Sequence, residues 1–177
     1  ILGLSAMVEE AVEWSVRAAT TRNESLARRV IDGDRDVDLR EIEVEEDCLK
    51  LLALYHPVAG DLRFIVAVLK MNNDLERIGD LAVSISRHAL RIAQLRDAAV
   101  NFDIAPLAGQ VRCMLKSALD ALVNVDPTLA RQVIDMDKQA DAMNAAIMDE
   151  ALVADLATRS SVECVHRYLL IARSLER

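Results

Sequence analysis

The chain repeats itself after about a hundred residues, and this constrains its fold more than any other feature. The segment Leu26–Asp32 reads LARRVID and the segment Leu129–Asp135 reads LARQVID, an offset of 129 − 26 = 103. Further along, DLER at Asp74–Arg77 is matched by SLER at Ser174–Arg177, an offset of 174 − 74 = 100. A repeat of this length predicts two copies of one structural unit.

The composition favours helices for that unit. Among 177 residues, 53% are hydrophobic, yet there are only 5 Gly, 3 Pro and 3% aromatic residues, which argues against many short strands. Apolar residues alternate steps of four and three along one segment, as in a packed helix. These residues are Phe64, Val68, Met71, Leu75, Ile78, Ala82, Ile85, Ala89 and Ile92. We interpret this apolar stripe as core and predict an all-α fold of two tandem three-helix bundles.

Helix boundaries follow from local signals. Asn23 is suited to cap a short helix that closes at Gly33, and Asp126-Pro127 is the corresponding start in the second copy. An acid-rich helix is predicted from about Asp34 to Tyr55.

The helical pattern breaks around residue 96, which indicates a connection between the copies. We assign residues 1–96 to the first three-helix repeat, 97–105 to a linker, and 106–177 to a second repeat that is incomplete at its C-terminal end.

Charge and cysteine usage exclude several classes of protein. The formal net charge is −8 and no basic stripe is visible, which argues against nucleic-acid binding and against docking on an anionic membrane. The longest apolar run, Phe64–Leu69, is too short to cross a membrane. Cys48, Cys113 and Cys164 form no C-x-x-C pair and are interpreted as core-filling thiols in a reducing cytosol.

Pairs of acids at helical spacing are the main candidates for chemistry. Glu76 and Asp80 stand four residues apart on one helix face, off the apolar stripe. Gly79 clears space beside them, and Asn73 offers another oxygen one turn earlier.

A second kind of acid pair occurs in both copies. Asp34 and Asp38 are four residues apart, and Asp137 and Asp141 repeat the spacing at an offset of 103. Carboxylates gathered in this way are tolerated when they are solvated or when a cation neutralises them. In a chain with 29 acidic residues, solvated helix faces and metal sites are both compatible with the pattern.

Other motifs are weaker. Glu163 and His166 match the Glu-x-x-His spacing of carboxylate-bridged di-iron bundles, but the first copy has no equivalent. No nucleophile has a base beside it in a known motif, and the scattered glycines form no phosphate loop. These absences are compatible with a protein that is not an enzyme.

Two adjoining segments resemble the PhoU family, the accessory regulators of bacterial high-affinity phosphate transport. They are PVAGDLR at Pro57–Arg63 and LKMNNDLERIGD at Leu69–Asp80, and the resemblance extends over essentially the whole chain. It implies two three-helix bundles without catalytic turnover.

The resemblance also implies metal sites, because some family members carry multinuclear clusters on paired acidic motifs. Carried over by residue, the first cluster falls on Asp34, Asp38, Glu76 and Asp80, and the second on Asp137, Asp141 and Glu176. Iron, zinc, manganese and magnesium are the candidate metals. The second copy has Arg173 and Ser174 where the first has Asn73 and Asp74, so we expect its site to be weaker.

The function implied is regulatory. Such a protein connects the ATPase subunit of the phosphate ABC transporter to a sensor histidine kinase and represses the phosphate-starvation response. It is expected in the cytoplasm, peripheral to the membrane through its partners, and as a homodimer. The alternative is a carboxylate-bridged metal protein of the di-iron or ferritin-like type.

Overall fold

The structure, a computed structural model, describes residues 1–95, 97–98, 100, 102–154 and 158–177. Its first three helices are α1 (Leu2–Thr21), α2 (Glu24–Tyr55) and α3 (Ala59–Gln94). They pack together as a bundle, with α2 and α3 forming a long hairpin against α1.

The second three helices repeat the first three. They are α4 (Ala105–Val123), α5 (Pro127–Leu152) and α6 (Arg159–Glu176). The offsets between equivalent first residues are 105 − 2 = 103, 127 − 24 = 103 and 159 − 59 = 100, the same values as in the sequence. The predicted all-α fold of two tandem three-helix units is confirmed, and no strand occurs in the described ranges.

The predicted caps of the second helix in each unit are present. The Asn23 side chain accepts hydrogen bonds from the backbone N–H groups of Ser25 (3.0 Å) and Leu26 (3.2 Å). Asp126 does the same for Thr128 (2.8 Å) and Leu129 (3.1 Å). Both caps satisfy donors that a helix start leaves without an intrahelical partner.

The predicted helix end at Gly33 is wrong, because α2 runs through it without interruption. Val30 and Val37, one turn before and after, are both buried, so packing fixes this stretch as helix. A glycine inside a helix costs only about 1 kcal/mol relative to alanine, which such packing outweighs.

The apolar stripe on α3 is core along most of its length. Leu75, Ala82, Ile85 and Ile92 are almost fully buried. Phe64 is the exception, since 42% of it is exposed, and its assignment to the core is wrong. With 36 residues, α3 is much longer than the 20-residue α1, so its first turns extend past the start of α1.

The largest apolar cluster among the described residues contains buried residues from all six helices, and two smaller clusters lie beside it. Three described residues between α3 and α4 belong to it, since Ala98, Phe102 and Ile104 are buried. The Phe102 ring meets the Tyr168 ring of α6 edge to face, with centroids 5.5 Å apart. The two units therefore share this cluster, to which Ala98, Phe102 and Ile104 also contribute.

Arg22, at the end of α1, contacts the segment that follows α3. Its guanidinium donates hydrogen bonds to the carbonyl oxygens of Leu95 (3.3 Å), Ala98 (2.8 Å) and Val100 (3.1 Å). The predicted linker at 97–105 includes residues 99 and 101, which lie outside the described residues, so this boundary stays a prediction.

The three cysteines differ in burial. Cys48 and Cys164 are buried, as predicted, but Cys113 is exposed. Its neighbours Met114 and Leu115 face the interior of the bundle, and this leaves Cys113 on the outer face of α4. None of the described helices is long and apolar enough to cross a membrane.

Replacing Gly33 with alanine should stabilise the protein. A Cβ at Gly33 would meet no atom within 4 Å, so Gly33→Ala gains helix propensity without a clash, and we expect about 0.5–1 kcal/mol in the free energy of unfolding. Urea denaturation followed by circular dichroism measures this.

Gly79→Ala is the matched control. A Cβ there would lie 3.1 Å from Cγ1 of Val37, so the gain in propensity is offset by crowding between α3 and α2. Equal stabilisation by the two substitutions would contradict this account of the helix crossing.

Candidate functional site

The candidate site lies where α2 and α3 cross at close range. Gly79 is buried in α3 and faces Val37 of α2, and the absence of a side chain permits the short approach. On α2, Asp34 lies one turn before Val37 and Asp38 directly follows it. On α3, Glu76 and Asp80 have the same positions relative to Gly79. The crossing therefore brings the two predicted acid pairs to one surface.

The pKa of Asp34 shows that the pairs interact. Partial burial raises it above the ordinary value, and the negative charges of Asp38 and Asp80 raise it further. Arg87 acts in the opposite direction, as the nearby positive charge. Asp34 thus interacts both with its own helix neighbour and with an acid on α3.

The pKa of Glu76 is raised for the same reasons. Burial is the largest cause, followed by the charges of Asp80, Asp38, Glu41 and Asp34 in that order. All four acids predicted for the first site are therefore brought together, and Glu41 joins them. We call these five residues the acidic surface.

Asn72 is a residue of this site that the sequence analysis missed. It is fully buried, and its amide nitrogen donates to the backbone carbonyl of Glu41 (3.0 Å) and to the Glu41 carboxylate (2.7 Å). It anchors Glu41 at the edge of the acidic surface. In the sequence it is a polar residue beside the apolar stripe, and the residue predicted as an oxygen ligand is its exposed neighbour Asn73.

A shallow pocket of about 300 Å³ opens beside the acids, lined by Asp38, Glu41, Ile42, Asn73 and Glu76. Within the described residues, no three His, Cys, Asp or Glu side chains converge closely enough to hold a metal ion. The carboxylates share a surface without meeting at one point.

The second copy is arranged differently. Asp137 and Asp141 are exposed on α5. Asp137 and Glu176 border a separate cavity of about 310 Å³, whose rim also carries Arg112 and Arg177. Asp74 also lines this cavity, so two arginines stand beside three acids, and the net negative charge is smaller than at the acidic surface of the first copy.

The anchor of the acidic surface is also absent from the second copy. The position of Glu41 is taken by Asn144 (144 − 41 = 103), and that of Asn72 by Ala172 (172 − 72 = 100). Alanine has no amide to donate, and the side-chain oxygen of Asn144 is buried without a hydrogen-bond partner among the described residues.

Glu163, considered as a di-iron ligand, is engaged elsewhere. Arg91 approaches its carboxylate to 2.9 Å and Arg167 to 3.4 Å. The hydrogen bond from Arg91 is the main cause that lowers the pKa of Glu163. His166 is exposed, so the two residues of the motif do not form a ligand pair facing the interior of the bundle.

Comparison with known proteins identifies the family that has this architecture. The model of the PhoU domain matches residues 1–89 and 104–177, one segment for each repeat. The chain belongs to the PhoU family. A PhoU homolog from Aquifex aeolicus, named a phosphate-specific transport system accessory protein, is 30% identical over 177 residues, which is all of this chain and 80% of the relative.

Solved structures agree with the family assignment. The crystal structure of PhoU from Pseudomonas aeruginosa is 30% identical, with a TM-score of 0.90 over 99% of this chain and 84% of that one. A phosphate transport system regulatory protein PhoU from Streptococcus pneumoniae is 25% identical, with a TM-score of 0.88 over 99% and 82%. These proteins are named as accessory or regulatory, in agreement with the prediction that the chain is not an enzyme.

Neutralising one acid of the acidic surface should stabilise the metal-free protein. Because the pKa of Glu76 is raised, the folded state binds protons more readily than the unfolded state, and stability falls as pH rises from the ordinary value of 4.5 through the raised one. Glu76→Gln removes this cost. In a chelating buffer at pH 7 we expect a gain of about 0.2–0.5 kcal/mol, the scale of like-charge pairs on a helix.

The advantage of Glu76→Gln should shrink as pH is lowered toward 4.5, where protonation relieves the same cost in the unaltered protein. Asp149→Asn, which neutralises an exposed acid on α5, serves as the control. Urea denaturation at several pH values measures both. A benefit of Glu76→Gln that does not change with pH would show that charge is not its cause.

Proposed function

We propose that this protein regulates phosphate uptake and phosphate-starvation signalling without catalysing a reaction. The observation that carries the proposal is the family match, which covers both repeats and nearly the whole chain. The matching proteins are named as accessory or regulatory proteins of phosphate transport.

The proposed mechanism is that of an adaptor between the ATPase subunit of the phosphate ABC transporter and a sensor histidine kinase. A protein of this kind acts by binding one conformation of a partner better than another, and so shifts the partner's equilibrium. A bundle with a continuous core and long helical faces is suited to this, since its surfaces keep their shape when a partner docks. The outcome is repression of the starvation response when phosphate is plentiful.

The proposed location is the cytoplasm, at the membrane only through partners, with the protein acting as a homodimer. Exposed apolar side chains at the ends of both helical hairpins support association with other proteins. Leu54 and Val58 lie at the α2–α3 end, and Leu152 and Val153 at the end of α5, each more than 70% exposed.

We further propose that the acidic surface binds a metal cluster of iron, zinc, manganese or magnesium. The ligands would be Asp34, Asp38, Glu76 and Asp80, whose oxygens suit hard cations. A bound cation would offset the repulsion that raises the pKa of Asp34 and Glu76. Binding requires these side chains to turn toward a common centre.

A second, weaker metal site is proposed at Asp137, Asp141 and Glu176. Arg177 borders the same cavity as two of these acids, as does Arg112, which is also paired with Glu13 at 3.0 Å, and positive charge at this cavity makes it less favourable for a cation. The carboxylate-bridged enzyme alternative has less support, because Glu163 is paired with two arginines.

The adaptor role is tested with the whole chain in its own bacterium. We expect deletion of its gene to activate starvation genes in phosphate-rich medium, and the restored protein to silence them. The purified protein should also retain the transporter ATPase subunit and the kinase in a pull-down. Absence of both interactions would count decisively against the adaptor.

The metal sites are tested by calorimetric titration of chelator-stripped protein with Mn²⁺. The pair Glu76→Gln with Asp80→Asn should weaken the tighter binding at least about tenfold. The matched pair Asp137→Asn with Asp141→Asn should leave it nearly unchanged. Equal affinity at the two sites, or full binding by the first pair of substitutions, would refute the ligand assignment.

A further inference from the structure

An open groove lies on the face of the bundle formed by α1 and α2, and no role has yet been assigned to it. Its volume is about 670 Å³, its walls include Met7 and Trp14 of α1 and Val30 and Gly33 of α2, and Val83 of α3 lies at its floor. We call it the α1–α2 groove. Its size and its apolar lining are those of a surface that receives side chains from another molecule.

Gly33 lines the groove without a side chain. A Cβ there would have no neighbour within 4 Å, so the packing of this chain does not require glycine. Glycine in a helix interior costs about 1 kcal/mol relative to alanine, and no neighbour of Gly33 in the bundle requires that cost to be accepted. What the glycine provides is room for another backbone or side chain to approach α2.

The second copy fills the equivalent place. Met136 stands at the position of Gly33 (136 − 33 = 103), and its carbonyl accepts a hydrogen bond of 3.2 Å from the side chain of Gln110 on α4. Gln110 is the equivalent of Met7 (110 − 7 = 103), which has no such donor. In the second copy a hydrogen bond therefore joins α4 to α5 at this position, whereas in the first copy a groove separates α1 from α2.

The charged side chains around the groove indicate which kind of molecule it would bind. Four acids line it, Glu10, Asp32, Asp34 and Asp36, against two arginines. Both arginines already have partners within the chain. Arg29 stacks on the Trp14 ring at 3.8 Å, and Arg28 lies 3.8 Å from Glu24.

We propose that the α1–α2 groove binds a basic amphipathic helix of a partner protein. The apolar lining accepts the apolar face of that helix, the carboxylates pair with its Lys and Arg side chains, and Gly33 lets it approach closely. The inference rests on the adaptor role for the source of the helix, and it names the surface through which the adaptor docks.

Trp14 provides the measurement, because it is the only tryptophan of the chain and lies in the groove. The probe is a synthetic helical peptide of about 14 residues, with leucines on one face and lysines on the other. In a buffer without divalent cations, its addition should shift the Trp14 emission to shorter wavelength, since docking removes water from the ring. A peptide with glutamates in place of the lysines should give no shift.

Two sets of variants test the assignment. Gly33→Met, which copies the residue of the second repeat, should weaken peptide binding at least about tenfold while the protein stays folded. Asp32→Asn with Asp36→Asn should weaken binding and reduce its dependence on salt. Asp149→Asn, distant in sequence from the groove, should change neither.

Equal binding of the lysine and glutamate peptides, or full binding by Gly33→Met, would overturn the inference. The result is separable from that for the adaptor role. If the whole protein retains its partners in a pull-down and Gly33→Met retains them equally, the adaptor stands and the groove is not its docking surface.

Discussion

The close crossing of α2 and α3 is the contact on which the rest of the first repeat depends. It exists because Gly79 presents no side chain to Val37, so the two helices approach to a distance that a larger residue would prevent. The crossing sets the acids of both helices beside each other, and Asn72 ties Glu41 to the same surface one turn beyond. Without it, the four carboxylates would lie on two separate helix faces.

Much of this was accessible from the sequence. The offsets of 103 and 100 recover the starts of all three helix pairs, because duplication keeps register inside helices even when side chains change. The caps at Asn23 and Asp126 were predicted because a capping side chain bonds to residues two and three positions along its own chain. The proximity of Asp34 to Glu76 was predicted from the four-residue spacing of the acid pairs together with the resemblance to the PhoU family.

The failures have a common physical origin in packing between distant segments. Gly33 has the local character of a helix end, yet burial of Val30 and Val37 carries the helix through it. Phe64 fits the apolar stripe, but burial depends on whether a neighbouring helix reaches that level of the bundle. The role of Asn72 depends on Glu41, 31 residues away, and no local pattern specifies such a pair.

The anchoring of the segment that follows α3 by Arg22 has a consequence for how the molecule comes apart. Its three carbonyl contacts and the burial of Phe102 tie described residues of the junction between the repeats to the shared core. We expect a boundary of this kind not to act as a hinge, and the two halves to lose their structure together in one cooperative transition. Although the sequence contains two copies of one unit, we expect the two copies to unfold in a single transition.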